Sequence, residues 1–118
     1  MRAGEIYLAR FPFGDVPGMK LRPVLLLTSS LGPVPEVLVA YISSVLPAQP
    51  LPSDLIVDPS TPEFRGSNLK VPSALRLHKL ATIHCSSLVR HLGLLEAAQQ
   101  TIVMEKIRAL LELSGATA

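Results

Sequence analysis

The chain contains no tryptophan, two tyrosines and three phenylalanines. Platforms for stacking bases are therefore scarce, and a bound polynucleotide would be held chiefly through its phosphates. A single cysteine, Cys85, excludes an internal disulfide and reads as a small buried side chain. Only 17% of the residues are charged, the net charge is +2, and the cations are scattered rather than clustered. That balance permits nucleic-acid binding without demonstrating it. No apolar run approaches the roughly 20 residues that span a bilayer, so no membrane association is expected. The opening residues, 1–5, lack the long apolar segment of a signal peptide, and a cytoplasmic location is expected. His78, His84 and His91 have neither helical-pair nor ligand-loop spacing, so neither metal nor cofactor is expected. Phosphate-binding glycine loops and a nucleophile elbow are also missing. Asp54 and Asp58 bracket a short apolar stretch, where turn and strand-end roles suffice for them.

What the chain does have is apolar strand material. At 118 residues and 48% hydrophobic it suits one domain, residues 1–118, with apolar surface left for a partner. Residues 14–30 organise the rest. Gly14, Pro17 and Gly18 are turn formers, and Val24, Leu25, Leu26 and Leu27 read as a strand buried on both faces. Arg22 stands at the junction, its backbone restricted by Pro23. It is well placed to clamp a phosphate, although a solvated strand end is the plainer alternative.

Residues 5–13 read as the first strand and residues 37–42 as the third, the latter ending in Ser43 and Ser44. Leu55, Ile56 and Val57 form a short strand, and residues 60–68 a polar loop. A long bent strand is expected over residues 73–83, with Leu75, Leu77 and Lys79 on one side and Arg76, His78 and Leu80 on the other. Residues 88–92 fit a strand or a helical turn. Ile102, Val103, Met104, Ile107, Leu110 and Leu111 recur at helical spacing within residues 96–113, and Ser114-Gly115 supplies a stop. Short strands followed by one terminal helix predict a mainly β fold, an antiparallel sheet covered by that helix.

The side chains left for chemistry are cations and hydroxyls: Arg22, Lys20, Thr28, Ser43 and Ser44. That set suits metal-free phosphoryl chemistry on RNA, whose own 2′-hydroxyl is the nucleophile. Here the chain resembles the MazF/PemK family of toxins. Gly4-Glu5-Ile6-Tyr7, Arg22-Pro23 with the aliphatic strand after it, Ile42-Ser43-Ser44, Val71-Pro72-Ser73 and Leu80-Ala81-Thr82-Ile83 carry the resemblance, with the terminal helix. It runs over nearly the whole chain. It implies a small SH3-like barrel and a homodimer, paired with a cognate antitoxin in a type II toxin–antitoxin system. It also implies an endoribonuclease, an mRNA interferase that cuts single-stranded RNA without metal and leaves 2′,3′-cyclic phosphate and 5′-hydroxyl ends. Arg22 takes the family's catalytic arginine position, and Ser43 takes a catalytic position usually held by threonine. Lys20, Thr28 and Ser44 join Arg22 as expected RNA contacts, and the family's β1–β2 loop maps onto residues 14–21. Many members carry a late-strand arginine and aspartate where this chain has Ala81 and His84. A non-catalytic or degenerate member, acting by binding an antitoxin or a protein target such as a topoisomerase, is the alternative.

Overall fold

The structure is a computed structural model that describes residues 1–11 and 20–113. Its central strand explains the apolar run met in the sequence. β2 (Lys20–Leu26) lies between β1 (Glu5–Phe11) and β3 (Glu36–Ser43), so both of its faces are covered. Leu25 joins one core cluster, with Ile6, Ala40, Ile42, Leu75 and Leu77. Val24 and Leu26 join a second on the other face, with Ala9, Val37 and Val39. The sheet is completed by β4 (Asp54–Val57), β5 (Ser73–His84) and β6 (Leu88–Leu94), in the order β4-β5-β3-β2-β1-β6. Every neighbouring pair is antiparallel. The stretch that fits strand or turn, residues 88–92, is strand.

The sheet curls until its two ends meet. A short 3-10 helix, Pro62–Ser67, follows β4 and occupies part of the expected polar loop. Its Phe64 enters the first core cluster, and its end packs against β6. Asn68, at φ 55°, donates from Nδ2 to the Leu92 carbonyl at 2.6 Å. Gly93 lies so close to the Gly66 and Ser67 carbonyls that a Cβ there would collide with backbone. Glycine is needed here for close approach, not for a special φ.

Helix α1 (Ala97–Leu110) closes the first cluster with a narrower seam than the periodicity predicts. Val103 is buried, and Ile107 and Leu110 pack beside it, the i, i+4, i+7 line of one helix face. Met104 and Leu111 lie off that line and are 51% and 53% exposed. The helix stops before the expected Ser114-Gly115, which lies outside the described residues. Glu112 takes a left-handed φ of 56°, and the Leu113 amide donates back to the Arg108 carbonyl.

One irregularity matters for the site. Along β5 the β3 partner jumps from Leu80, opposite Ala40, to Arg76, opposite Tyr41. Residues 77–79 bulge out of the ladder, and the expected alternation fails there. Leu80 packs with Leu75 and Leu77 instead of opposite them. Lys79 leaves their side and sits with Nζ 5.7 Å from the centre of the Tyr41 ring.

Candidate active site

Pro23 has no N–H to give a ladder, and the β2–β3 pairing stops beside it. The paired residues are Leu26 with Val39, Leu25 with Ala40, and finally Val24 with Tyr41. Lys20, Leu21, Arg22 and Pro23 remain paired to β1 alone. Carrying the same register two residues further sets Arg22 across from Ser43, on the face that holds Val24 and Tyr41. The two side chains singled out in the sequence thus share one face at one end of the sheet.

Arg22 crosses from the fully buried Ala9 of β1. Its Nε is buried and, among the described residues, has no hydrogen-bond partner. Leaving a buried donor unsatisfied costs about 1–3 kcal/mol, and more for a charged group. A purely structural arginine would be expected to have an acceptor there.

Ser43 is 8% exposed, and its hydroxyl is turned onto its own chain. Oγ accepts from the Val45 amide and donates to the Val45 carbonyl, each at 3.1 Å. This local turn ends β3. To give its proton to a phosphate, Ser43 must release the Val45 carbonyl.

The other expected contacts divide. Lys20 is exposed on β2, two residues before Arg22 and on the same face. Ser44 follows Ser43 just past the end of β3 and lines a cavity of about 270 Å³ shared with Pro23, Lys70 and Arg90. Thr28 is not brought to Arg22. It lies six residues further along, about 20 Å of extended chain. Its Oγ1 accepts from the Leu38 amide at 3.1 Å, holding β3 to the end of β2. Most of the expected covering loop, residues 14–19, lies outside the described residues.

The structure adds a cluster that sequence reasoning missed. Asp54, treated there as a strand-end residue, has a side chain with no exposure. It accepts from Arg76 Nε at 2.7 Å and from the Leu51 amide at 2.8 Å, while His78 Nδ1 stands 3.9 Å away. Arg76 lies opposite both Tyr41 and Asp54, so this pair faces the same side as Ser43. The only signal in the sequence was an arginine and a histidine of one parity in a strand otherwise rich in leucine. The β5 bulge, invisible to periodicity, brings Lys79 over Tyr41, the residue opposite Arg76. A separate polar group sits at the start of β1. There, burial raises the Tyr7 phenol pKa and the Glu5 charge raises it further. Among the described residues, no three His, Cys, Asp or Glu side chains gather as a metal site. No helix among them is long and apolar enough to cross a membrane. A larger cavity, about 500 Å³, lies between α1 and residues 51–53. It is mostly apolar and contains none of the candidate site side chains.

Fold and site together define a class: a curled antiparallel sheet with a C-terminal helix and an arginine at the mouth of its central strand. The model for PemK-like, MazF-like toxins of type II toxin–antitoxin systems matches residues 2–111, and the chain belongs to that family. The toxin MazF-mt6 of Mycobacterium tuberculosis is 28% identical, with a TM-score of 0.71 over 94% of this chain and 99% of that one. MazF of Deinococcus radiodurans is 17% identical, with a TM-score of 0.67 over 96% and 97%. An endoribonuclease from Mycobacterial species, solved in complex with its cognate antitoxin, is 14% identical, with a TM-score of 0.68 over 98% of each chain. The last two likenesses concern the fold alone. No curated protein matches the sequence.

Proposed function

We propose that this toxin is a metal-independent endoribonuclease acting on single-stranded RNA. The observation that carries the reading is the buried Nε of Arg22, without a partner among the described residues and facing the same side as Ser43. A phosphodiester supplies the missing acceptor. The 2′-hydroxyl gives up its proton as its oxygen attacks phosphorus, the P–O5′ bond breaks, and the leaving 5′-oxygen takes up a proton, so no net proton is gained or lost. The products are a 2′,3′-cyclic phosphate and a 5′-hydroxyl. Arg22 binds the phosphoryl oxygens and stabilises the charge that grows on them, the task at which a guanidinium fork excels. Ser43, once released from Val45, donates to the same phosphate, and Lys20 contacts a neighbouring one. Thr28 has no part in this site, and Ser44 acts from the cavity it lines. The family and the antitoxin complex of a structural relative support an antitoxin as partner. The exposed Met104 and Leu111 are consistent with a homodimer. A cytoplasmic location follows from the substrate.

The test is to incubate the purified protein with single-stranded RNA in excess chelator and identify the new ends. Cyclic-phosphate and 5′-hydroxyl ends are expected; 3′-hydroxyl ends, or cleavage only after metal is restored, would refute the mechanism. The hold of Val45 on the Ser43 hydroxyl favours a second reading, a toxin that binds an antitoxin or a protein target such as a topoisomerase without cutting. Growth arrest with intact cellular RNA would establish it in place of the first.

A further inference from the structure

We propose that the cavity lined by Pro23 and Ser44 is a nucleotide subsite, which holds a base adjoining the scissile phosphate. This rests on the ribonuclease reading and assigns the origin of its sequence preference. Adjacent residues of a strand face opposite ways. Arg22 and Ser43 therefore look to one side of the sheet end and Pro23 to the other, into a cavity that Ser44, just past the end of β3, also lines. Phosphate site and cavity stand back to back, one residue apart along the chain at both places. A single-stranded chain passing round this end reaches both.

The lining suits one nucleotide. Leu8, Pro23 and Leu92 give apolar walls, and Lys70 and Arg90 are exposed cations beside them. The volume of about 270 Å³ falls just under the roughly 300–1,000 Å³ of sites for larger ligands. In a chain this poor in aromatics, apolar walls and the Arg90 guanidinium plane are the surfaces available to a base. Two polar groups of the lining are already committed. Ser73 Oγ donates to the Val71 carbonyl, and Asn68 Nδ2 donates to the Leu92 carbonyl. That leaves Ser44, the Asn68 Oδ1, Lys70 and Arg90 to read the base. Both cations are donors only, so a base edge rich in acceptors, such as the O6/N7 edge of guanine, fits best.

The test compares wild type, Arg22→Ala and the Lys70→Ala/Arg90→Ala double variant, whose replaced side chains are exposed and not needed for folding. Binding is measured on a mixed-sequence single-stranded DNA oligonucleotide, which lacks the attacking hydroxyl. Cut sites are sequenced from a random RNA pool. The double variant should bind at least about tenfold more weakly, with a shallower salt slope, since two cations are lost beside a polyanion. It should also lose preference at one position beside the cut while leaving the same end groups. Unchanged affinity, slope and cut-site profile, with Arg22→Ala inactive, would sink the subsite and leave the ribonuclease standing. DNA binding by wild type that is lost in the double variant, with no RNA cut by either, would keep the subsite and discard the ribonuclease. Unchanged DNA binding with loss of poly-glutamate binding would assign the cavity to an acidic polypeptide and overturn the proposal.

Discussion

Replacing Arg76 with methionine keeps most of its stem and removes the cation facing Asp54. The carboxylate it leaves behind has no exposure and retains only the Leu51 amide and, at 3.9 Å, His78. Breaking a buried pair from one side costs about 3–5 kcal/mol. Arg76 is itself 18% exposed, which lets some water reach the vacated side and puts the expectation at the lower end, about 3 kcal/mol. Against a total stability of about 5–15 kcal/mol for a domain, that is a large fraction. Urea unfolding followed by circular dichroism should show a lower midpoint at unchanged slope. Adding Asp54→Asn should recover a large part of the loss, because the stranded charge is then gone. An Arg76→Met cost below about 1 kcal/mol would refute the claim that this pair is buried and mutually dependent.

Three further outcomes are expected. Gly93→Ala forces a Cβ into the Gly66 and Ser67 carbonyls and should destabilise by about 3 kcal/mol, the upper end for overpacking, read by thermal melting. Thr28→Val leaves the Leu38 amide without its acceptor and should cost about 1–3 kcal/mol while RNA cleavage stays unchanged; lost cleavage at intact fold would return Thr28 to the RNA contacts. Glu5 gives a pH dependence. Burial opposes its charge, but the Arg2 amide, the amino terminus and His91 outweigh burial and hold the carboxyl below its ordinary 4.5. A carboxyl depressed by folding stabilises above its unfolded value and loses that contribution as pH falls through the folded value. Glu5→Gln should therefore be less stable than wild type at pH 7, with the gap closing as pH falls below about 4.5. A gap that persists at pH 2 would contradict the linkage.

Most of the sheet was legible because its strands declared themselves by composition; β6 alone fitted a strand or a helical turn. Val24, Leu25 and Leu26 are apolar without alternation, and they occupy the strand with neighbours on both sides. The Arg22–Pro23 step was legible in part: β2 begins at Lys20 rather than at Pro23, because residues 20–22 pair with β1, while the proline marks where β2 and β3 stop pairing. The family resemblance, carried by the order of short motifs, agrees with the match over residues 2–111. What the sequence hid was long-range. Nothing local distinguishes Asp54 from a turn aspartate; its burial depends on Arg76, 22 residues away. The β5 bulge arises from pairing with β3 and reverses the parity of Leu80 and Lys79. Thr28 looked like one more hydroxyl near a cation, yet the length of β2 carries it to the opposite end. The helix stripe was read too wide because periodicity registers apolar residues, not which of them meet the sheet.

The most direct measurement is single-turnover cleavage of single-stranded RNA in chelator by Arg22→Ala, with its unfolding curve taken alongside. Loss of a preorganised donor at the reacting phosphate should lower the rate by about 10²–10³-fold. The same change removes a buried donor that has no partner among the described residues, so stability should hold or rise. Cleavage at the wild-type rate by a folded Arg22→Ala protein would contradict the account at its centre.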